Sequence, residues 1–277
     1  MTEECIHGLD FAHCDLCSPK AVPKPATAAP AAARSRAPRA STSRTAAATG
    51  AMRPAQHRKP IIIGEQRIHH ITHTDNLAGI LSSGLHADSS AVWNSRPEID
   101  ISSADTRTAR RATAIAGTGQ RAGATVADYV PFFLSPNAAL WEGIRARTPD
   151  PRISAVAHTM SASEFVLLVS TVKRVTDALP DDSTVMADGD AADPLTRFAA
   201  TGDDSERMLR RLLREDESGG LLRAEFLVHD AVPFELVSLI GVANDKARGV
   251  VRAILGSSGH SPRLAVHPPW FALPAMG

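Results

Sequence analysis

The hydrophobic pattern of the chain changes near residue 61. Residues 20–60 consist mainly of Ala, Pro, Ser, Thr and Arg and contain no aromatic residue, whereas short apolar runs recur from Ile61 onwards. A segment so poor in apolar side chains cannot bury enough surface to offset its ordering entropy. The pattern therefore predicts a disordered basic linker over 20–60 and a folded domain over 61–277.

The folded part contains more predicted strands than predicted helices. Helical spacing of apolar residues marks three segments, which are 77–84, Ser205–Arg214 and Lys246–Leu255. Short runs rich in β-forming residues predict strands at Ile68–His73, Ala127–Leu134, Glu164–Val172, Leu222–Val228 and Leu236–Val242. Because strands and helices do not alternate regularly, we expect an α+β domain with a mainly antiparallel sheet. The stretch Thr176–Asp204, rich in Asp, Ala and Gly, is predicted to be a surface loop.

Composition and charge narrow the class of protein. The chain is 43% hydrophobic and 22% charged, which suits a globular domain. Its net charge is zero, but no acidic residue lies between Asp15 and Glu65, while basic residues recur from Lys20 to Lys59. This basic tract could hold a polyanion weakly or could simply keep a linker in solution. No apolar run is long enough to cross a membrane and no secretion signal is evident, so we expect a cytoplasmic protein.

All three cysteines of the chain lie in its first seventeen residues. Cys5 and His7 precede a Cys-x-x-Cys pair, Cys14 and Cys17, and His13 could replace His7. Four such ligands suit a tetrahedral zinc ion, and metal binding would supply the folding free energy of so short a segment. We predict a structural zinc knuckle over 1–19, the alternative being an unstructured tail with incidental cysteines.

Glu225 lies within strand-forming residues, in the segment Arg223-Ala224-Glu225-Phe226-Leu227-Val228. A lone carboxylate on a strand is usually solvated. However, this segment, with the Pro233-Phe234-Glu235-Leu236 turn after it, resembles the catalytic-glutamate strand of the DarT family of DNA ADP-ribosyltransferases.

Three further segments carry the same resemblance in the family's order. They are the strand and helix that begin at His70-Ile71-Thr72-His73, the motif Asp128-Tyr129-Val130-Pro131-Phe132-Phe133, and the closing segment Val266–Phe271. Together they cover roughly residues 67 to 271. One departure is Pro136-Asn137-Ala138-Ala139-Leu140, where relatives carry a Pro-Arg-Ser-Pro-Met segment. The resemblance implies an ADP-ribosyltransferase-like split antiparallel sheet with flanking helices.

The resemblance also implies roles for named residues. Glu225 would be the catalytic carboxylate, because cleavage of NAD⁺ builds positive charge on the ribose and a nearby carboxylate stabilises it. His70, Thr72, Asn76 and Tyr129 would lie on the NAD⁺ side of the pocket, although the histidines 69, 70 and 73 could instead hold a metal. Relatives use an arginine ahead of the aromatic motif. The candidates for it here are Arg107, Arg110 and Arg111, of which Arg111 is preferred and Arg110 comes second, and each could instead bind phosphates.

The resulting hypothesis is an NAD-dependent ADP-ribosyltransferase that modifies bases of single-stranded DNA, since an acceptor base must be unstacked to react. The resemblance further implies a toxin of a toxin-antitoxin system with a macrodomain antitoxin as partner. It does not decide between thymine and guanine. The rivals are a transferase acting on RNA or protein, and a non-catalytic, zinc-containing nucleic-acid-binding protein. The sequence contains no glycine-rich dinucleotide-binding fingerprint, so a redox function is not supported.

Overall fold

The computed structural model describes residues 62–92, 97–115, 121, 123–200, 202–215 and 219–273. The predicted zinc ligands Cys5, His7, Cys14 and Cys17 and the predicted linker 20–60 lie outside these residues. The described residues all belong to one unit of the chain, Pro60–Gly277.

The described residues form ten strands, eight of which make one large sheet in the order β10-β9-β4-β1-β3-β7-β5-β6. The strands are β1 (Arg67–His73), β2 (Leu85–His86), β3 (Tyr129–Phe133), β4 (Phe165–Thr171), β5 (Thr184–Ala187), β6 (Phe198–Ala199), β7 (Glu225–His229), β8 (Ala231–Val232), β9 (Leu239–Val242) and β10 (Arg263–Val266). Within the large sheet only β9 and β10 pair in parallel. The predicted α+β class with a mainly antiparallel sheet is confirmed.

The large sheet is almost divided between β1 and β3. Along its whole length β1 pairs with β4, and β3 pairs likewise with β7, but β1 and β3 share only the pair His69 and Phe133. Side chains bridge the gap instead. Gln66 Nε2 donates to the carbonyl of Leu134 at 2.8 Å, and the His70 ring bonds the carbonyl of Pro131. The sheet therefore consists of two halves that diverge on either side of one residue pair.

Seven helices flank the sheet in the described residues. They are α1 (Leu77–Ser83), α2 (Ala104–Ala112), α3 (Ala139–Ala146), α4 (Ala155–Thr159), α5 (Val172–Thr176), α6 (Gly202–Arg214) and α7 (Asp245–Leu255). Buried leucines and alanines on α1, α6 and α7 join one core with β1, β4 and β7, which confirms the three predicted amphipathic helices. Helix α1 ends at Gly84, as predicted, because its φ is 85° and a Cβ there would lie 2.7 Å from the carbonyl oxygen of Val232.

Two parts of the sequence-based description are wrong. The stretch Thr176–Asp204 is not only a surface loop, since it contains β5 and β6, and Met186 and Ala187 of β5 are buried. A strand of four residues between turn-forming residues gives little local signal and is stabilised by its pairing with β7. The strand predicted from Leu222 begins only at Glu225, because Gly220–Leu222 form a turn of 3-10 helix.

In the part of the chain that the structure describes, no helix combines the length and the apolar character that a membrane span requires.

Candidate active site

A cavity of about 470 Å³ opens where the two halves of the sheet diverge. It is bordered by β1, α1, the segment 97–102, α2, β3, the loop between β5 and β6, and the start of β7. Six of the seven residues predicted to form the active site line this cavity: His70, Thr72, Asn76, Arg110, Tyr129 and Glu225. The seventh, Arg111, is not among the residues that line it.

Glu225 lies at the first position of β7 with only 4% of its surface exposed. The backbone N–H of Ala191 donates to Oε1 at 3.1 Å, and Arg110 Nη1 donates to Oε2 at 3.1 Å. Burial raises the pKa of Glu225, while the cationic Arg110 opposes this and the nearby Asp190 adds to it. Both carboxylate oxygens of the buried Glu225 are therefore held in a fixed orientation.

Helix α2 decides which arginine reaches Glu225. Ser103 caps the helix by accepting from the N–H of Thr106. Arg107 and Arg110 are three residues apart, share one face and line the cavity, whereas Arg111 does not line it and pairs with Asp88. The order of preference in the sequence analysis, Arg111 before Arg110, is thus reversed by the geometry. Nη2 of Arg110 is buried and has no hydrogen-bond partner among the described residues.

His70 lies on the opposite face of β1 from His69 and His73, and the three side chains do not form a metal site. His70 lines the cavity, where its Nδ1 lies 2.9 Å from the carbonyl of Pro131. His69 packs edge-on against Trp270 and His73 edge-on against Phe165. Among the described residues no three His, Cys, Asp or Glu side chains are placed to hold a metal, so the metal alternative for this cluster is not supported.

His70 presents an acceptor to the cavity. A carbonyl oxygen can only accept, so Nδ1 of His70 carries the proton and donates to Pro131. Burial lowers the pKa of His70, and the Arg110 charge lowers it further against the opposing effect of the Pro131 hydrogen bond. The ring is therefore neutral, with a lone pair on Nε2.

Asn76 orders the wall of the cavity. Its Nδ2 donates to Thr72 Oγ1 at 3.1 Å and to the carbonyl of Ile99 at 2.9 Å, and its Oδ1 accepts from the N–H of Ile99 at 2.9 Å. A side-chain amide thus pairs with the backbone of Ile99 as a neighbouring strand would. Asn76 holds the segment 97–102 in place, and Thr72 supports this arrangement.

Tyr129 belongs more to the core than the sequence analysis predicted. Its side chain is 1% exposed and packs in a second hydrophobic cluster with Ile115, Val126, Val185 and Leu227. It still borders the cavity, and its hydroxyl has no hydrogen-bond partner among the described residues. Burial raises the pKa of Tyr129, so the hydroxyl stays a protonated donor.

The sequence analysis did not assign several charged residues that line the cavity, among them Arg152, Asp190 and Arg223. Arg152 forms a two-bond contact with Asp150 at 3.0 and 2.7 Å and donates to Asp190 at 3.0 Å. Asp190 directly precedes Ala191, which bonds Glu225. Only the Asp-x-Arg spacing at 150–152 hinted at an ion pair, and Asp190 lies in the stretch that was predicted to be a loop.

Comparison with known proteins identifies one family. A family model described as "DarT: ssDNA thymidine ADP-ribosyltransferase, DarT" matches residues 69–272. The DNA ADP-ribosyl transferase of Mycobacterium tuberculosis is 28% identical over 210 residues, which are 72% of this chain and 86% of that protein. The enzyme of the same description from Thermus aquaticus is 28% identical over 211 residues, covering 74% and 88%.

Solved structures show the same fold. Thermus sp. 2.9 DarT in complex with NAD⁺ has a TM-score of 0.57 at 25% identity, covering 75% of this chain and 98% of that one. Thermus sp. 2.9 DarT in complex with ADP-ribosylated ssDNA has a TM-score of 0.62 at 24% identity, covering 75% and 96%. The protein is an NAD-dependent ADP-ribosyltransferase. More narrowly, the chain belongs to the DarT family of DNA ADP-ribosyltransferases.

Proposed function

We propose that this enzyme transfers ADP-ribose from NAD⁺ to thymidine in single-stranded DNA, with Glu225 as the catalytic carboxylate. The observation that carries the proposal is the buried pair of Glu225 and Arg110 inside the cavity. The family description names single-stranded DNA and thymidine, and a related DarT was solved with ADP-ribosylated ssDNA. The sequence analysis had left the base open.

The reaction needs charge stabilisation at two places. The bond between nicotinamide nitrogen and ribose C1′ breaks and neutral nicotinamide leaves, so no general acid is required. Positive charge develops on the ribose, and the buried Glu225 carboxylate stabilises it. The thymine N3 then bonds to C1′, and the N3 proton is released to solvent at the mouth of the cavity. Arginine stays protonated in proteins, so Arg110 would act as a charge that stabilises the deprotonating base, with its buried Nη2 as the available donor.

The other wall of the cavity suits the nicotinamide and its ribose. His70 offers an acceptor at Nε2, which matches a ribose hydroxyl or a carboxamide N–H. Tyr129 is not part of this wall: it lies on the same face of the sheet as Glu225 and offers a hydroxyl donor from there. Thr72 and Asn76 act mainly by fixing the segment 97–102 against β1. These assignments rest on the contacts within the described residues.

The remainder of the chain completes the proposal. We propose a zinc knuckle at Cys5, His7, Cys14 and Cys17, a basic linker over 20–60 and the transferase domain over 61–277, in a cytoplasmic protein. A toxin role with a macrodomain antitoxin follows from the family resemblance, and one solved relative is a Thermosipho africanus DarTG in complex with ADP-ribose. Metal analysis of the purified full chain, with Cys14→Ser as comparison, tests the knuckle, which predicts one zinc per chain.

Incubation with NAD⁺ and separate acceptor pools tests the function. The pools are single-stranded DNA with and without thymidine, duplex DNA, RNA and protein, each followed by mass spectrometry. We expect ADP-ribose on the thymidine-containing single strand, and a decrease of about 100-fold or more for Glu225→Gln because one preorganised electrostatic contact is lost. Glu206→Gln, on the exposed side of α6, is the matched control and should retain activity. Modification of RNA or protein alone would replace the acceptor and keep the enzyme class.

A further inference from the structure

Arg223 differs from the other described arginines of the cavity in its ion pairing. Four described arginines line it, and three of them are already paired: Arg107 with Asp100, Arg110 with Glu225, and Arg152 with Asp150 and Asp190. The side chain of Arg223 is exposed, and its guanidinium makes no ion pair or hydrogen bond within the described residues. Among the described arginines of this lining, Arg223 is therefore the one whose guanidinium makes no polar contact with another described residue.

The backbone holds Arg223 in a fixed place beside the reacting centre. It lies two residues before Glu225 and follows the turn Gly220–Leu222, whose carbonyl at Gly220 accepts from the N–H groups of Arg223 and Ala224 at 3.2 and 3.1 Å. Leu221 and Ala224, on either side, are buried in the main core. Arg223 is thus presented from a rigid turn, so a ligand would not have to order the backbone first.

We propose that Arg223 binds a backbone phosphate of the single-stranded DNA acceptor at the mouth of the cavity. This inference rests on the proposed function. A phosphate is the natural partner of an unpaired, fully charged guanidinium, because it accepts two parallel hydrogen bonds in addition to the charge attraction. The exposure of Arg223 favours a phosphate of the DNA strand as its partner over the NAD⁺ diphosphate, because the DNA strand approaches from solvent whereas NAD⁺ must fit inside the cavity. Leu222, also on the lining and 36% exposed, offers adjacent apolar surface for a sugar or base.

Binding of a fluorescein-labelled oligothymidine to the full chain tests this proposal without requiring catalysis. Anisotropy is measured over a range of salt concentrations for the wild type, Arg223→Gln and Arg223→Lys. For Arg223→Gln we expect Kd to rise about three- to tenfold at moderate salt, and the slope of log K against log salt to become shallower by about 0.7, the value for one phosphate contact on a single strand. Arg223→Lys should keep most of the slope, because the charge remains.

The matched control is Arg214→Gln. Arg214 ends α6, is exposed, has no ion pair within the described residues and does not line the cavity. Its replacement should leave both Kd and the salt slope unchanged, although it removes the same charge. Thermal unfolding of all variants verifies that they fold, and the basic segment 20–60 is common to every one of them.

The KM for NAD⁺, measured from nicotinamide release without DNA, separates the two sources of phosphate. We expect it to be unchanged in Arg223→Gln. A raised KM for NAD⁺ with an unchanged Kd for the oligonucleotide would overturn the proposal in favour of the NAD⁺ diphosphate, and unchanged values of both would overturn it altogether. If the wild type binds the oligonucleotide without modifying it, the proposed function fails independently of Arg223.

Discussion

The ion pair between Arg110 and Glu225 supports the most discriminating prediction. Arg110→Met removes the cation and keeps an unbranched side chain, and Glu225→Gln removes the anion with little change of volume. Nη1 of Arg110 lies 3.1 Å from Oε2 of Glu225, and the two side chains are only 11% and 5% exposed. Removing one partner of a buried pair leaves the other uncompensated, so we expect Arg110→Met to lower the free energy of unfolding at pH 8 by about 3 kcal/mol.

The loss of unfolding free energy in Arg110→Met should be larger at high pH than at low pH. Burial raises the pKa of Glu225 above its ordinary value of 4.5, and Arg110 is the largest of the influences that lower it. Without Arg110 this pKa rises further. A carboxyl whose pKa is higher in the folded state contributes stability below its unfolded pKa and loses it as the pH rises through the folded pKa. Arg110→Met should therefore be destabilised much less at pH 5 than at pH 8.

Denaturant unfolding followed by tryptophan fluorescence measures both the destabilisation and its pH dependence. The double variant Arg110→Met, Glu225→Gln completes a double-mutant cycle. We expect the double variant to be more stable at pH 8 than Arg110→Met, because it no longer contains the unpaired carboxylate. In the activity assay, the acidic limb of the pH profile for nicotinamide release should move to higher pH in Arg110→Met. Additive effects of the two substitutions, or a destabilisation that is the same at pH 5 and pH 8, would show that the two side chains do not form a coupled buried pair.

Three further predictions concern residues around the ion pair of Arg110 and Glu225. Burial lowers the pKa of His69 to about 4 from an ordinary value of 6.5. The stability that this neutral ring contributes above pH 6.5 is therefore lost as the pH falls towards 4, by about 2 kcal/mol between pH 7 and pH 5. In urea unfolding, His69→Gln should reduce this pH dependence of the free energy of unfolding. Asn76→Ala frees the backbone of Ile99, so the KM for NAD⁺ should rise about tenfold with a smaller change in kcat. Arg152→Met releases the Asp190 loop from its anchor, so kcat should fall about tenfold with little change in KM, and adding Asp190→Asn should restore part of the loss.

Each of these predictions has a contrary result. An equal pH dependence in the wild type and His69→Gln would show that this ring is not the group that titrates. A loss of kcat alone in Asn76→Ala would move Asn76 from the wall of the cavity to the reacting centre. A rise in the KM for NAD⁺ in Arg152→Met would indicate that this guanidinium binds the substrate directly and does not position the loop.

Local sequence determined the elements whose pattern is complete within a few residues. The spacing of Leu77 and Leu81 and the glycine at 84 are enough to start and end α1, and alternation around Ile68 and Phe226 marks the central strands. The Glu225 strand could be singled out because its surrounding motif resembles that of a known family. In such segments local preference and burial favour the same structure.

The tertiary structure decided the features that depend on partners distant in sequence. Strand β5 exists through pairing with β7, so Thr184–Ala187 gives little signal by itself. The orientation of α2, rather than the identity of its arginines, selects Arg110 over Arg111 as the partner of Glu225. Asp190 approaches Glu225 because a loop folds back over the sheet.

The charge state of the active site also depends on contacts between residues that are distant in sequence. Glu225 is an ordinary carboxylate in the sequence, and its raised pKa comes from burial among residues 34 or more positions away, such as Ala191 and Arg110. Desolvation and Coulomb interactions depend on distances in space, which a linear pattern does not contain. The residue types available for the chemistry can thus be read from the sequence, whereas the fold determines which of them come into contact.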